Sequence, residues 1–232
     1  MTPALERALE DINPNAEYQK ALKFITGLSH LRSDNYDRVI AQLDPLLNHV
    51  DCELDGYIRW VIAIAHEKKD NYEQGLQYYQ QCSEKLQSFI LWRNWGVCYR
   101  SYKQYEQSLE CLQQALVSAQ QVNDYKAEAN ILHNIGRSYQ GCSKYEEAIT
   151  YHEQSRDLYQ QIGRNKHVGW QWDWLSDCYR DWGKYQQALE CQQERLKIHQ
   201  RLGEESEMAF AYYAIGRIYK AWGKYEEAIS HH

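Results

Sequence analysis

Apolar and aromatic positions recur three and four residues apart along most of the chain, which is the spacing of one face of an α-helix. Around Gly96, for example, Trp92 stands four positions earlier and Tyr99 three positions later. The three prolines all lie within the first 45 residues, and the rest is rich in Gln, Glu, Ala, Leu and Tyr. These residues favour helix, and little turn chemistry is left for strands. The pattern predicts an all-α protein.

A short motif centred on tyrosine repeats along the chain, as in DNYDRVIAQL from Asp34 and GKYEEAISHH from Gly223. Its six tyrosines are Tyr36, Tyr72, Tyr105, Tyr145, Tyr185 and Tyr225. They are separated by 36, 33, 40, 40 and 40 residues. Such regular recurrence indicates a repeated structural unit.

A second motif precedes this tyrosine in the later copies and reads NWGVCY, NIGRSY, WLSDCY and AIGRIY. A helix places its small residue and the tyrosine three positions later on one face, so that a neighbouring helix can approach closely. The small residues are Gly96, Gly136, Ser176 and Gly216, and the matching contacts are Ala148, Ala188 and Ala228. Gly183 and Gly223 are placed to end first helices, and Gly163 and Gly203 to end second helices. Each unit is predicted to be an antiparallel helix pair.

These motifs resemble the tetratricopeptide repeat family, in particular its long-period arrays of about 40 residues, such as those of kinesin light chain and Pins-type scaffolds. The resemblance implies a right-handed α-solenoid of about six antiparallel helix pairs. It covers residues 16–232, after an N-terminal segment or short capping helix at 1–15. The approximate repeats are 16–50, 53–86, 88–122, 126–163, 166–203 and an incomplete 206–232.

The first and last copies depart from the pattern. His30 and His66 stand where the first two copies should have tyrosine, so their assignment depends on the loop tyrosine and the apolar periodicity. The last copy stops at Ser230-His231-His232, inside its second helix. Because a terminal repeat normally ends in a polar cap, we expect the chain to be part of a longer protein. The alternative is a partner that covers this end.

Composition narrows the function classes. The formal net charge is −6, from 26 Lys and Arg against 32 Asp and Glu, which argues against a general nucleic-acid binder. The apolar runs are too short for a bilayer, and the N-terminus does not have the pattern of a signal peptide. We therefore expect a cytoplasmic protein. The seven cysteines form no CxxC pair, and those that recur in phase are expected to be reduced, buried packing residues.

The sequence shows no catalytic constellation. His66-Glu67 is not followed by the second histidine of HExxH, and there is no P-loop, GxGxxG or GxSxG motif. We expect no catalytic residues, no metal site, no cofactor and no enzymatic activity.

The remaining candidate is a binding surface. In the family that the chain resembles, first helices line a concave groove that binds peptides, and helical geometry selects the exposed positions. These carry an excess of arginine over acids, whereas the second helices are acidic. Asn94 and Asn134 match family positions that bind peptide, and arginine suits a carboxylate. We predict that an acidic or C-terminal peptide contacts Asn94, Arg100, Asn134, Arg137, Trp174, Arg180, Tyr213 and Arg217.

Several alternatives stay open. Arg180 has Asp177 beside it and need only pair locally, and the tryptophans from Trp170 to Trp182 can simply fill the space between repeats. The chain can also be the regulatory or sensor region of a larger multidomain signalling protein. Nucleic-acid binding through stacked aromatic and arginine side chains is a weaker alternative. The incomplete last repeat allows self-association, whereas membrane binding is not expected.

Overall fold

A computed structural model describes residues 16–48, 53–83 and 88–230, and every regular element in these ranges is a helix. The predicted all-α class is confirmed. The proposed N-terminal segment 1–15, Cys52 and the final two histidines lie outside the described residues. The chain divides into two compact units, residues 1–104 and 105–232.

Unit 1 contains five α-helices, each packed against the next. They are α1 (Ala16–Arg32), α2 (Tyr36–Leu43), α3 (Glu53–Lys68), α4 (Tyr72–Ser83) and α5 (Phe89–Ser101), with a 3-10 turn at Asp44–Asn48 after α2. The core lies where α2 and α3 meet, and Val39, Leu43, Ile58 and Ile62 are completely buried there. Ser88 begins α5, because its hydroxyl accepts a hydrogen bond from the Ile90 amide at 3.3 Å.

Unit 2 contains seven α-helices, each packed against the next. They are α6 (Tyr105–Gln121), α7 (Tyr125–Gly141), α8 (Tyr145–Gln161), α9 (Asn165–Asp181), α10 (Tyr185–Leu202), α11 (Glu205–Ala221) and α12 (Tyr225–Ser230). Buried aliphatic residues fill the seams between neighbouring helices, such as Ile149 with Leu175 and Leu189 with Ile218. The Trp172 indole on α9 packs against the cluster of Ile149 and Leu175 and against a further cluster of Ala129, Tyr159 and Val168.

All six tyrosine motifs share one backbone turn. The residue two positions before each tyrosine has a positive φ, from 54° to 81°, in the order Asp34, Asp70, Lys103, Ser143, Gly183 and Gly223. Around Gly183, the Lys184 amide donates to the Tyr179 carbonyl at 2.8 Å, which closes the end of α9. The predicted helix ends at Gly183 and Gly223 are confirmed, and non-glycine residues adopt the same left-handed conformation in the other four copies.

The small residues of the repeat receive neighbouring side chains as predicted. A Cβ added to Gly136 would lie 2.9 Å from the His152 ring on α8. At the equivalent position in the next repeat, Ser176 donates a hydrogen bond to the Ala188 carbonyl at 2.9 Å. Ala148 and Ala188 are completely buried. Close helix approach therefore depends on the small residues that carry the motif.

The described cysteines behave as packing residues. Five of the six are buried and Cys142 is half-buried. Burial raises the pKa of the Cys98 and Cys178 thiols to about 12, which makes them poor nucleophiles. Among the described residues, no group of three His, Cys, Asp or Glu side chains is placed to hold a metal ion. Within the same ranges, no helix is long and apolar enough to cross a membrane.

Candidate peptide-binding face

The first helices of unit 2, α7, α9 and α11, carry a connected set of candidate side chains. We call the surface formed by Arg137, Trp174, Asp177 and Arg217 the first-helix face. Its centre is a cation–π contact between α7 and α9: the Arg137 guanidinium carbon lies 4.5 Å from the centroid of the Trp174 ring. Within the described part of the chain, no carboxylate lies within ion-pair distance of Arg137. This guanidinium is therefore available to an external anion.

Two histidines and a glutamine support the Trp174 ring. The His133 ring lies 5.2 Å from it and the His152 ring 6.1 Å, measured between centroids. The Gln171 carbonyl oxygen lies 3.3 Å from Nδ1 of His133 and 3.1 Å from Nδ1 of His152. An amide oxygen only accepts, so both histidines donate from Nδ1. This arrangement fixes the orientation of both rings beneath the tryptophan.

The positive charge of this region comes from arginine. His152 is completely buried, and burial lowers its pKa to about 4, so that its ring is neutral at neutral pH. Burial also lowers the pKa of Arg137 below its usual value, because a desolvated guanidinium loses hydration. Arginine nevertheless remains charged at any physiological pH. The first-helix face thus presents a half-buried, permanently charged group.

Asp177 interacts with Arg180 and with Arg217 in different ways. Arg180 forms ion pairs with Asp177 in its own helix and with Asp181 at 2.7 Å, so its charge is balanced locally. Burial raises the pKa of Asp177, and the charges of Arg180 and Arg217 act against that rise. Arg217 therefore lies within electrostatic range of α9 while remaining exposed. The expectation that Arg180 pairs with Asp177 is confirmed.

The aromatic candidates on α11 are the most accessible. Tyr213 is 54% exposed and stands four positions before Arg217, on the same side of the helix. Phe210 is 60% exposed and Trp170 on α9 is 37% exposed. Large exposed rings beside cations are typical of interaction surfaces.

Asn134 does not have the predicted exposure. We expected its side chain on the open face, but the residue is only 7% exposed. Its amide nitrogen donates to the backbone carbonyl of Asn130 at 2.8 Å, one turn earlier on α7. This local bond draws the side chain back along its own helix. The prediction of an exposed Asn134 is wrong.

The candidates Asn94 and Arg100 lie on α5 of unit 1. Both are half-buried. The Asn94 carbonyl oxygen accepts a hydrogen bond from the adjacent Arg93 guanidinium at 3.0 Å. Six of the eight candidates therefore lie in unit 2, where Arg137 contacts Trp174 and both Arg180 and Arg217 act on Asp177. Asn94 and Arg100 lie in unit 1.

Sequence reasoning missed a buried polar network between α9, α10 and α11. Arg195 is 5% exposed, and its guanidinium donates to Asp173 at 2.7 Å and to Glu207 at 3.1 Å. Gln192 donates to the same Asp173 carboxylate at 2.8 Å. A signal was present in the repeat: Ser155, which stands 40 positions before Arg195, is another polar residue at this buried position.

Comparisons with known proteins agree with this architecture. The family model described as "Tetratricopeptide repeat" matches residues 87–161 and 171–232. No curated protein matches the sequence significantly.

Three solved structures illustrate the fold, all below 25% identity. Kinesin light chain-like repeats from Podosopora anserina are 16% identical with a TM-score of 0.66, over 78% of this chain and 93% of that one. A STAND protein with a tetratricopeptide repeat sensor from Pyrococcus horikoshii is 17% identical with a TM-score of 0.73, over 97% and 36%. A Rap protein complexed with Competence and Sporulation Factor is 16% identical with a TM-score of 0.72, over 98% and 67%.

Proposed function

Because the chain belongs to the tetratricopeptide repeat family, we propose that it is a non-catalytic interaction scaffold whose first-helix face binds an acidic or C-terminal peptide segment. Family membership itself supports a protein-interaction scaffold or sensor role. The observation that carries the finer proposal is Arg137, a half-buried guanidinium stacked on Trp174 with no carboxylate partner among the described residues.

The chemistry of the face suits a carboxylate ligand. A guanidinium offers a planar pair of N–H donors to a carboxylate, and stacking on an indole fixes its plane before the ligand arrives. Arg217 adds a second cation, which is exposed, and Tyr213 gives an apolar side chain of the peptide a ring to contact. Arg180 has a smaller role because Asp177 and Asp181 already neutralise it.

A sensor region of a larger protein is the second candidate. The similar STAND protein carries its repeats as a sensor, and this chain covers 36% of that protein. The Rap structure was solved with Competence and Sporulation Factor bound. Both candidates require the same first event, which is ligand binding by the repeats, so one experiment addresses that event for both.

The test is selection of peptides with free C-termini from a random display library on the full chain, followed by fluorescence anisotropy with the selected sequences. We expect the selected peptides to be enriched in Asp, Glu or a C-terminal carboxylate. The variant Arg137→Glu/Arg217→Glu should weaken their binding at least about tenfold, because two cations become anions.

The matched control is Lys126→Glu/Lys144→Glu, which makes the same change in net charge at two exposed positions of the same unit. This control should bind as the parent does, with both variants checked for helix content by circular dichroism. Equal losses in the two variants, or selected peptides without acidic character, would contradict the proposal.

A further inference from the structure

The second helices α8 and α10 form the two walls of a groove whose floor is α9. The floor is an apolar stripe of Val168, Trp172, Leu175 and Tyr179, spaced four, three and four residues apart on one face of the helix. Two cavities of about 470 and 490 Å³ lie along it, and both are lined by Trp172 and Glu194. They are adjacent compartments of one groove, which we call the outer groove.

One compartment is acidic and aromatic. Glu153 from α8 and Glu190 and Glu194 from α10 line it, together with Trp172 and Tyr179. Within the described residues, no lysine or arginine lines this compartment. Burial raises the pKa of Tyr179, and the negative charge of Glu153 adds to that rise, which places the carboxylate within electrostatic range of the ring.

The other compartment is lined equally by apolar and polar side chains. Its apolar half is Val168, Trp172, Ile198 and Leu202, and its polar half is Gln160, Asn165, Glu194 and Arg201. Leu202 is 43% exposed at the end of α10. The exposed leucine and the half-buried tryptophan leave apolar surface in contact with water. An apolar side chain of a partner would cover this surface, which is favourable.

Neighbouring cations balance only part of the negative charge of the groove. Lys197 pairs with Glu194 at 2.5 Å, but both side chains are well exposed, so the pair is weak. The Arg156 guanidinium carbon stacks 4.6 Å from the centroid of the Trp172 ring and pairs with Asp157 at 2.8 Å. Glu153 and Glu190 form no ion pair within the described part of the chain. They remain available to a partner's cation.

We propose that the outer groove is a docking site for a basic amphipathic helix. Two helical walls above an apolar floor form the kind of groove that receives a helix, and complementary charge selects a basic partner. A lysine or arginine of the partner enters the acidic compartment, with its stem on Trp172 and Tyr179 and its charge near the glutamates. An apolar side chain enters the Leu202 compartment. Leu175 lies about two turns of α9 from Val168 and Tyr179 about three turns, so the partner's two anchors stand about 10–16 Å apart.

This site differs from the first-helix face in both position and sign. The first-helix face lies on α7, α9 and α11 and offers arginine to an anion, whereas the outer groove offers glutamate to a cation. One chain can therefore hold an acidic peptide and a basic helix at the same time, as a scaffold that links two partners does.

The probe is a fluorescein-labelled helical peptide of leucine and lysine, about five turns long, with all leucines on one face. Its counterpart has glutamate in place of every lysine. Anisotropy titrations with the full chain should show saturable binding of the lysine peptide and none of the glutamate peptide. The variant Glu153→Lys/Glu190→Lys should weaken the lysine peptide about tenfold or more, and Leu202→Gln should also weaken it.

The matched control is Glu146→Lys/Glu147→Lys, which makes the same charge change at two exposed positions of α8 that do not line the groove. It should bind like the parent, and so should Arg137→Glu/Arg217→Glu, which separates this proposal from the first-helix face. If Glu153→Lys/Glu190→Lys and Glu146→Lys/Glu147→Lys weaken binding equally, the effect comes from the net charge of the protein and not from the outer groove, and the proposal is overturned. Binding of the glutamate peptide, or no binding of the lysine peptide, would also overturn it. A concentration-dependent doubling of the protein's mass that Glu153→Lys/Glu190→Lys abolishes would overturn it too, because the groove would then bind a second copy of this chain.

Discussion

His199 and Gly169 interlock: a Cβ built on Gly169 would lie 2.4 Å from Nε2 of the His199 ring. His199 is completely buried on α10, and its Nδ1 lies 2.8 Å from a carboxylate oxygen of Glu204, just before α11. The same imidazole therefore fills the space left by a glycine on α9 and contacts the start of the next repeat. His152 and Gly136 form a similar contact between α8 and α7, at a different position of the repeat.

Gly169→Ala should destabilise the protein by about 1–3 kcal/mol, because the new methyl group meets a buried ring that has no free space to move into. Urea unfolding followed by circular dichroism measures the change. Adding His199→Ala to that variant should make the alanine at 169 much less harmful, since the clash disappears. If the effect of Gly169→Ala is the same with and without the histidine, the interlock is not the cause.

Buried His152 should make stability depend on pH. Its folded pKa is about 4 and its unfolded value about 6.5. The unfolded chain therefore binds an extra proton between these values, and stability falls as pH falls through this window. The full effect is ~3 kcal/mol. The groups that face the ring are Gln171, His133 and Arg137, and the arginine charge acts in the same direction as burial.

His152→Gln provides the comparison, because glutamine occupies the equivalent position 192 one repeat later. Unfolding free energies measured from pH 7 to pH 4 should fall less steeply in this variant than in the parent. Parallel profiles would show that His152 does not titrate abnormally.

Arg195→Met should cost about 2 kcal/mol or more, because it leaves the Asp173 and Glu207 carboxylates facing each other without their cation. The partial exposure of both carboxylates keeps the loss below that of a fully buried pair. Arg201→Met is the control, since the exposed Arg201 donates only to the Lys197 carbonyl among the contacts of the described residues. Thermal unfolding should give a clearly lower melting temperature for Arg195→Met than for Arg201→Met. Similar melting temperatures would contradict a structural role for Arg195.

Cys142 should react with a thiol reagent before the other described cysteines. It is the most accessible of the six described cysteines. Burial raises the pKa of its thiol too, but raises those of the buried Cys82, Cys111 and Cys191 thiols to about 12. A Cys52→Ser background removes the one thiol outside the described residues. Mass mapping after brief native labelling should find the modification at Cys142, and rapid labelling of Cys178 would contradict its burial.

The repeat architecture was predictable from sequence because it depends on small residues and turns. The 40-residue spacing and the small residues, such as Gly136 and Ser176, specified helix pairs that the structure confirms. The turns were only partly predictable. Lys103 and Ser143 adopt positive φ without being glycine, because the helix-ending hydrogen bonds around them require it.

The polar contacts of the candidate site were less predictable, because they depend on side-chain rotamers and not on spacing. Helical geometry placed Asn134 on the open face, but a bond to its own backbone turns the side chain inward. Arg137 and Trp174 stack across two helices and are 37 positions apart in sequence, so no local pattern predicts their contact. The partners of Arg195 and His199 could not be predicted, because Asp173, Glu207 and Glu204 lie outside α10.

Photo-crosslinking of a bound peptide shows directly whether the first-helix face holds it. A library-selected peptide carrying a photoreactive residue would be irradiated with the full chain, and the crosslinked residues identified by mass spectrometry. We predict crosslinks on α7, α9 and α11 at or beside Arg137, Trp174 and Tyr213, and their loss in Arg137→Glu/Arg217→Glu. Crosslinks confined to α8 and α10, or unchanged in that variant, would contradict peptide binding at the first-helix face.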